Sequence, residues 1–300
     1  MAVDFVHNLD VTYGEAISLK SNLRCLTAPN KGPFTYTGTG TFIIGTDSVA
    51  IIDPGPLMND HIEGLLEAIG DKILSHILVT HTHLDHSPAS EPLSAATGAP
   101  IFAFGPHGTG KGGGLDDEVV EEGADKSFSP TNKLKDGALI KGEDWTFKAI
   151  HTPGHTSNHI CFHWLEENVI FTGDHIMGWS TSVISPPDGD MGAYMASLEK
   201  LKATQAKALY PTHGPAILNP NEFISSLIAH RKERGSQIYE AVSSGKHNLQ
   251  DITAQVYSHI GPELRMAAER NTLAHLIHLV EQTKISSDQT PSPKARFELR

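Results

Sequence analysis

Six consecutive residues, His81-Thr82-His83-Leu84-Asp85-His86, contain four side chains able to bind a metal ion. On a loop leaving a strand, alternate side chains converge on one side, so His81 and His83 can share one ion. Asp85 and His86 then turn toward a second. Imidazole nitrogen with carboxylate oxygen suits zinc, and also iron or manganese. Three later positions have the same chemistry: His155 in TPGHT, Asp174 in FTGD and His213 in YPTHG. With the first cluster they make five histidines and two aspartates, enough for two metal sites that share a bridging carboxylate. The chain has 18 histidines in 300 residues, but most surface histidines do nothing, so placement rather than number carries this reading.

Each of these positions follows a run that reads as a strand. HILVT (76–80) leads into the first cluster, TFKAI (146–150) into HTPGHT, VIFTG into Asp174 and ALYP into His213. TFIIG (41–45) and VAIID (49–53) are β-rich runs around Thr46-Asp47-Ser48 and read as a hairpin. ICFHWL and VIFTG around Glu166-Glu167-Asn168 read as a second. Ile62, Leu65, Leu66 and Ile69 fall on one helix face. Asp190 is placed to cap a helix carrying Tyr194, Leu198 and Leu201.

The composition changes after Asn219-Pro220. One helix follows from Glu222, a second is capped by Asn248 with Asp251, and a third opens at Gly261-Pro262 and carries Leu273, Leu276, Ile277 and Val280. ARFEL near the end reads as a strand of a β-wing. Three helices and a ribbon suggest a winged helix. The expected organisation is therefore a catalytic domain over 1–220 and a small winged-helix-like domain over 221–300.

The motifs IDPG, HTHLDH, TPGHT, FTGD and PTHG, in this order between about 35 and 215, resemble those of the metallo-β-lactamase superfamily. The resemblance implies an α/β fold, the αββα sandwich, with metals at one edge. It implies His81, His83 and His155 as ligands of a first metal, Asp85, His86 and His213 of a second, and Asp174 as the bridge. Asp53 of IDPG would stand behind the ligands and orient them; apart from the resemblance, His159 is the best candidate for such support among the extra histidines near the motifs. The cofactor implied is a pair of divalent ions, zinc first, with iron or manganese as alternatives. The chemistry implied is hydrolysis by a metal-bridging hydroxide, with Asp85 orienting it and moving a proton. The stretch from Met177 to Leu201 and the helical tail look like the subgroup with a C-terminal winged-helix domain. That subgroup points to phosphodiester hydrolysis of RNA or a nucleotide; the alternative is acyl hydrolysis of a thioester, lactone or β-lactam. Trp179 and Ser180, just after FTGD, are expected to line the substrate pocket.

Bulk properties narrow the partners. Apolar residues make up 39% and charged residues 19%, as in a globular protein. The formal net charge is -12. Residues 221–300 carry ten Lys/Arg and nine Asp/Glu, a net of +1, which leaves the preceding residues at -13. An acidic catalytic part weakens extended binding to single-stranded RNA, and Arg265 with Arg270 is too thin a basic surface for specific DNA. The expected partner is a small-molecule or single-stranded RNA substrate. No run approaches the roughly 20 apolar residues of a membrane helix, and MAVDFVHNLDV has no signal-peptide pattern, so no membrane partner and a cytoplasmic location are expected.

Three features receive the plain reading. GPHGTGKGGG (105–114) nearly matches a P-loop, but Gly112 stands where Ser or Thr is needed, so it reads as a loop near the rim of the site, with His107 and Lys111 in reach of substrate. His151, His163 and His175 are extra to the ligand set. Arg231, Lys232 and Arg234 read as a solvated helix face.

Overall fold

A computed structural model describes residues 3–111 and 123–300. The first sheet contains seven strands in chain order: β1 (Ile17–Lys20), β2 (Leu23–Thr27), β3 (Gly40–Ile44), β4 (Ser48–Ile52), β5 (Ile73–Leu78), β6 (Ile101–Ala103) and β7 (Asn132–Lys133). Strands β1 to β4 pair antiparallel, and β4 to β7 pair parallel. Helix α1 (Asn59–Ile69) makes the crossover from β4 to β5, and α2 (Ser90–Thr97) that from β5 to β6. The strand expected over 76–80 begins three residues earlier, because β5 runs alongside β4 from Ile73.

The second sheet has the order β12-β11-β10-β9-β8. Its strands are β8 (Leu139–Lys141), β9 (Thr146–His151), β10 (Ile160–Trp164), β11 (Val169–Gly173) and β12 (Ala208–Pro211). Both expected hairpins form, β3–β4 and β10–β11. Helix α3 (Met191–Lys202) connects β11 to β12, and the Asp190 carboxylate caps it by accepting from Ala193 N.

Strand side chains alternate between two cores. Phe42, Ile44 and Ile52 face the other sheet, where they meet Phe147, Phe162 and Phe171. Ile43, Val49 and Ile51 point the other way, against Leu65, Ile69 and Leu93 of α1 and α2. Ile150, Cys161 and Ile170 do the same beneath α3. The central strands are covered on both faces, so β3, β4 and β11 read as continuous buried runs rather than alternating ones. Two sheets between two helical layers give the αββα sandwich. Each large side chain removed from water contributes about 1.5–3 kcal/mol.

The C-terminal module consists of α4 (Pro220–Ser243), α5 (Leu249–Val256), α6 (Arg265–Glu281) and a ribbon of β13 (Ile285–Ser287) with β14 (Phe297–Leu299). Asn248 caps α5 by accepting from Asp251 N. Pro262 occupies a short 3-10 turn ahead of α6. Helix α4 belongs to two cores. Ile224, Leu227 and Ile228 pack under the second sheet, while Ile238, Ala241 and Val242 pack with α5, α6 and Phe297. Among the described residues no helix is long and apolar enough to cross a membrane.

Candidate metal centre

The chemistry-bearing residues emerge just past the ends of strands running toward one edge of the sandwich. Asp53 follows β4, His81 to His86 follow β5, His155 follows β9, Asp174 follows β11 and His213 follows β12. Two glycines shape these exits. Gly154 has φ +140, and a Cβ there would lie 2.4 Å from the backbone of Tyr194 at the start of α3. Gly173 has φ +50, and its Cβ would lie 2.6 Å from Thr80 Oγ1 and 2.7 Å from His159 Nε2. Both positions need glycine for conformation and for space.

Two groups of donor atoms result, His81/His83/His155 and Asp85/His86/Asp174/His213, with the atoms of each group within 4.8 Å of one another. In the first, His83 Nδ1 lies 3.0 Å from His81 Nε2 and 3.2 Å from His155 Nε2. In the second, Asp174 Oδ1 lies 3.4 Å from both His86 Nε2 and His213 Nε2. Asp85 Oδ2 lies 3.2 Å from His213 Nε2. The other oxygen of Asp174 faces the first group, 3.8 Å from His155 Nε2, so this carboxylate stands between the two.

The hydrogen bonds behind the rings fix which nitrogen faces inward. His155 Nδ1 donates to the Val183 carbonyl, His213 Nδ1 to the Gly38 carbonyl and His86 Nδ1 to Asp53 Oδ2. The Thr80 hydroxyl gives its proton to Asp53 Oδ2 and so accepts from His81 Nδ1. Four Nε2 lone pairs therefore point into the cluster. Asp53 organises the rest. It sits at φ +51 and accepts from Thr80 N, Thr80 Oγ1, Thr212 Oγ1 and His86 Nδ1, all 2.7–2.9 Å away. One buried carboxylate thus ties β4, the first cluster and the β12 exit together.

The donor set fits two divalent ions. The buried Nε2 atoms of His86 and His213 and Oδ1 of Asp174 lack hydrogen-bond partners among the described residues, whereas buried polar atoms are ordinarily satisfied. At zinc–nitrogen distances of about 2.0–2.1 Å, tetrahedral ligand atoms are about 3.3 Å apart, close to the separations seen. Charge is arranged to match. Burial pushes Asp85 and Asp174 up, but the neighbouring imidazoles outweigh it and hold both carboxyls below their ordinary range. Burial, with the neighbouring rings, drives His81 down, so its lone pair is available.

The other expected residues take supporting places. The His159 ring stacks on His81 at 5.1 Å, with its Nδ1 2.8 Å from Thr152 Oγ1; among the described residues its Nε2 has no hydrogen-bond partner. Trp179 and Ser180 border a cavity of about 560 Å³ that opens above His83, Asp85, His155 and Asp174. Trp179 is held there by stacking on Tyr36, with centroids 4.9 Å apart. His151, His163 and His175 stand outside both donor groups. His107 contacts Thr82 Oγ1, and neither it nor Lys111 borders the cavity; Gly112 to Gly114 of the P-loop-like run lie outside the described residues. Arg231 corrects the solvated-face reading of its basic run: it is 2% exposed, lies over the Tyr194 ring and bonds Asn271 and Ser182.

Sequence reasoning missed Thr80 and Thr212. A signal was present, because both precede a ligand histidine at a strand end, as VTH and PTH. It also missed the far wall of the cavity, which Tyr257, Ile260, Leu264, Met266, Ala267 and Arg270 of the C-terminal module build. No local spacing marks those residues.

Comparison with known proteins agrees with this architecture. Residues 36–213 match the model of the metallo-beta-lactamase superfamily, and residues 249–293 that of the beta-lactamase associated winged helix domain. The chain is 31% identical to a beta-lactamase-like protein 2 homolog of Caenorhabditis elegans over 261 residues, 81% of this chain and 78% of the relative. It is 34% identical to an atrochrysone carboxyl ACP thioesterase of Paecilomyces divaricatus over 217 residues, 71% of this chain and 62% of the relative. A beta-lactamase domain protein from Burkholderia ambifaria shares the fold at a TM-score of 0.78 and 18% identity, over 99% of this chain and 97% of that one. By its motifs, its sandwich and these matches, the chain belongs to the metallo-beta-lactamase superfamily of hydrolases and carries that superfamily's associated winged-helix domain.

Proposed function

We infer that this protein hydrolyses acyl thioesters, with His81, His83 and His155 holding one zinc ion, Asp85, His86 and His213 a second, and Asp174 between them. The observation that carries this reading is the cavity over the donor groups. Phe34, Met177, Trp179, Val183, Ile260 and Leu264 give it mostly apolar walls, which suit an acyl group. The thioesterase among the relatives supports the same class.

Divalent ions bound here supply Lewis acidity, which makes water nucleophilic near neutral pH and polarises a carbonyl. The chain's own groups do the rest. Asp85 borders the cavity, 3.2 Å from His213 Nε2. It takes a proton from the attacking water as the carbon–oxygen bond forms, and returns it to the sulfur as the carbon–sulfur bond breaks. Asp53 and Thr80 keep the imidazoles in register, and the apolar walls exclude bulk water.

Phosphodiester hydrolysis ranks second. The same donor set serves it, and the winged helix favours it, but a strand of RNA needs a positive track. Among the described residues bordering the cavity, Arg270 is the single Lys or Arg. The proposed partner is therefore a small-molecule ester. Zinc is proposed on donor chemistry, with iron and manganese as competitors. Free Cys25 and Cys161 support a reducing compartment such as the cytoplasm.

The test is a panel on metal-loaded protein: a glutathione thioester, a lactone, a chromogenic cephalosporin, bis-p-nitrophenyl phosphate and single-stranded RNA, with metal content measured by mass spectrometry. Thioester cleavage that is abolished by Asp85→Ala in a folded, metal-loaded variant is the expected result. Cleavage of the phosphodiesters with no turnover of the thioester would replace this reading with the second.

A further inference from the structure

A short stretch of the β6–β7 connection lies against the metal loop like a strap. His83 forms an antiparallel bridge with Ala124. On either side of it, Leu84 N donates to the Gly123 carbonyl and Asp125 N to the Thr82 carbonyl, each at 2.9 Å. The strap is itself anchored, because Phe128 is buried in the core that Leu65 of α1 and Leu93 of α2 share.

Asp125 belongs to neither donor group, yet its carboxylate is buried and works in two directions. Oδ2 accepts from the Ser87 hydroxyl at 2.7 Å. Oδ1 accepts from Ser127 N at 3.2 Å and from the Ser127 hydroxyl at 2.7 Å. One oxygen serves the metal loop and the other serves the strap. Leu84 and Ser87 are the residues just before and just after Asp85-His86, which supply two donors of the second group. The strap therefore grips the chain on both sides of that pair. Inside the grip the loop is closed by a turn, with His86 N and Ser87 N donating to the His83 carbonyl at 3.0 and 3.1 Å. Hydrogen bonds to a buried carboxylate are stronger than neutral ones and hold their geometry accordingly. Asp53 acts from the strand side, on the His86 ring. Asp125 acts from the opposite direction in the chain, on the backbone that carries both donors.

We propose that Asp125 is a positioning residue of the metal centre: through Ser87 it fixes the backbone that aims Asp85 and His86 at the second ion. This rests on the donor groups holding metal ions, and not on which bond the protein cleaves.

The experiment compares the full-length wild type with Asp125→Ala, Asp125→Asn, Ser87→Ala and Ser127→Ala. Zinc affinities are measured by calorimetry, and cobalt(II) is titrated into metal-free protein while visible absorption reports the geometry of its ligands. Asp125→Ala and Ser87→Ala should each weaken the second zinc ion by about tenfold, the lower end of the loss for a group standing behind ligands. Both should also alter the cobalt spectrum. Asp125→Asn keeps an oxygen that can accept from Ser87 and should recover most of the affinity. Ser127→Ala removes a bond from the same carboxylate on the side away from the metal loop, so it should bind both ions as the wild type does. Thermal midpoints do not separate these cases, because any lost bond to Asp125 lowers stability. Should Asp125→Ala fail to fold, Ser87→Ala decides. Wild-type zinc affinity and cobalt spectrum in Ser87→Ala overturn the proposal, and so does a loss in Ser127→Ala as large as that in Ser87→Ala. A wild type that takes up neither metal is a different failure, read before any variant: it removes the metal centre and this proposal with it.

Discussion

Arg231 of α4 donates through Nη2 to the carbonyl of Ser182, and the next carbonyl along, that of Val183, accepts from His155 Nδ1. The Ser182 hydroxyl in turn donates to the carbonyls of Asp174 and His175. A buried guanidinium in the C-terminal module therefore braces the loop whose carbonyls and hydroxyl hold His155 and Asp174, one residue from each donor group. Arg231→Met keeps the packing of the stem and removes the donors. It should lower stability by about 1–3 kcal/mol in urea titration. It should also weaken zinc binding at the His81/His83/His155 group about 10–100-fold by calorimetry, the usual scale for a residue behind a ligand. A stability loss with zinc affinity intact would reduce Arg231 to packing.

Asp53 should be the least replaceable residue outside the donor groups. Asn at this position offers one acceptor oxygen where the carboxylate receives four bonds, and turns an N–H toward groups that are themselves donors. Asp53→Asn is expected to cost about 3 kcal/mol or more, because bonds to a buried charge are worth about 1.5–3 kcal/mol each. The mutant should also bind metal weakly at the Asp85/His86/Asp174/His213 group. A variant with wild-type thermal midpoint and two tightly bound ions would contradict this account.

Metal removal should loosen the sandwich as well as silence it. His81, His83, Asp85 and His86 leave the first sheet, while His155, Asp174 and His213 leave the second, so each donor group spans both. Ions bound only by the folded state stabilise it by about 2.7 kcal/mol per site when free metal is 100 times Kd. Chelation should therefore lower the thermal midpoint by several degrees, and adding back two equivalents of zinc should restore it. A midpoint indifferent to chelator would mean that the sheets hold together without the ions.

Acid should destabilise the protein partly through His61. Burial lowers this histidine to about 4 from 6.5, the Pro54 carbonyl opposing only in part. It sits on Thr41 Oγ1 and the Pro54 carbonyl, 3.1 Å from each. The folded state thus resists the proton that the unfolded chain accepts. The associated stability is complete above pH 6.5 and is lost as pH falls from 6.5 toward 4, by about 3 kcal/mol in total. In urea titrations at pH 7 and pH 4, His61→Gln should narrow the difference between the two curves by about that amount. An undiminished difference would assign the acid sensitivity to other groups.

The seven donors could be read in the sequence because the chemistry demands particular residue types at particular strand exits, and both features are local. The hairpins and the Asp190 and Asn248 caps were legible for the same reason. The threonines were written just as locally, in VTH and PTH, but a hydroxyl does not declare itself until Asp53 is seen beneath both. Arg231 defeated local reading outright. Neighbouring charges suggest a wet helix face, yet α4 turns this one residue toward Tyr194 and Asn271, a matter of how helices dock rather than of sequence spacing. The α6 wall was hidden for a similar reason, since it faces a loop far away in the chain.

That wall and the donor groups come from two separate stretches of the chain. Helix α6 borders the cavity but contributes no atom to either donor group. The cavity lining and the donor groups can therefore change separately. Substitutions among residues 257–271 alter the cavity wall and leave both donor groups intact, whereas substitutions in HTHLDH remove donor atoms. Grafting a foreign tail onto this sandwich would accordingly replace one wall of the cavity and keep every donor atom.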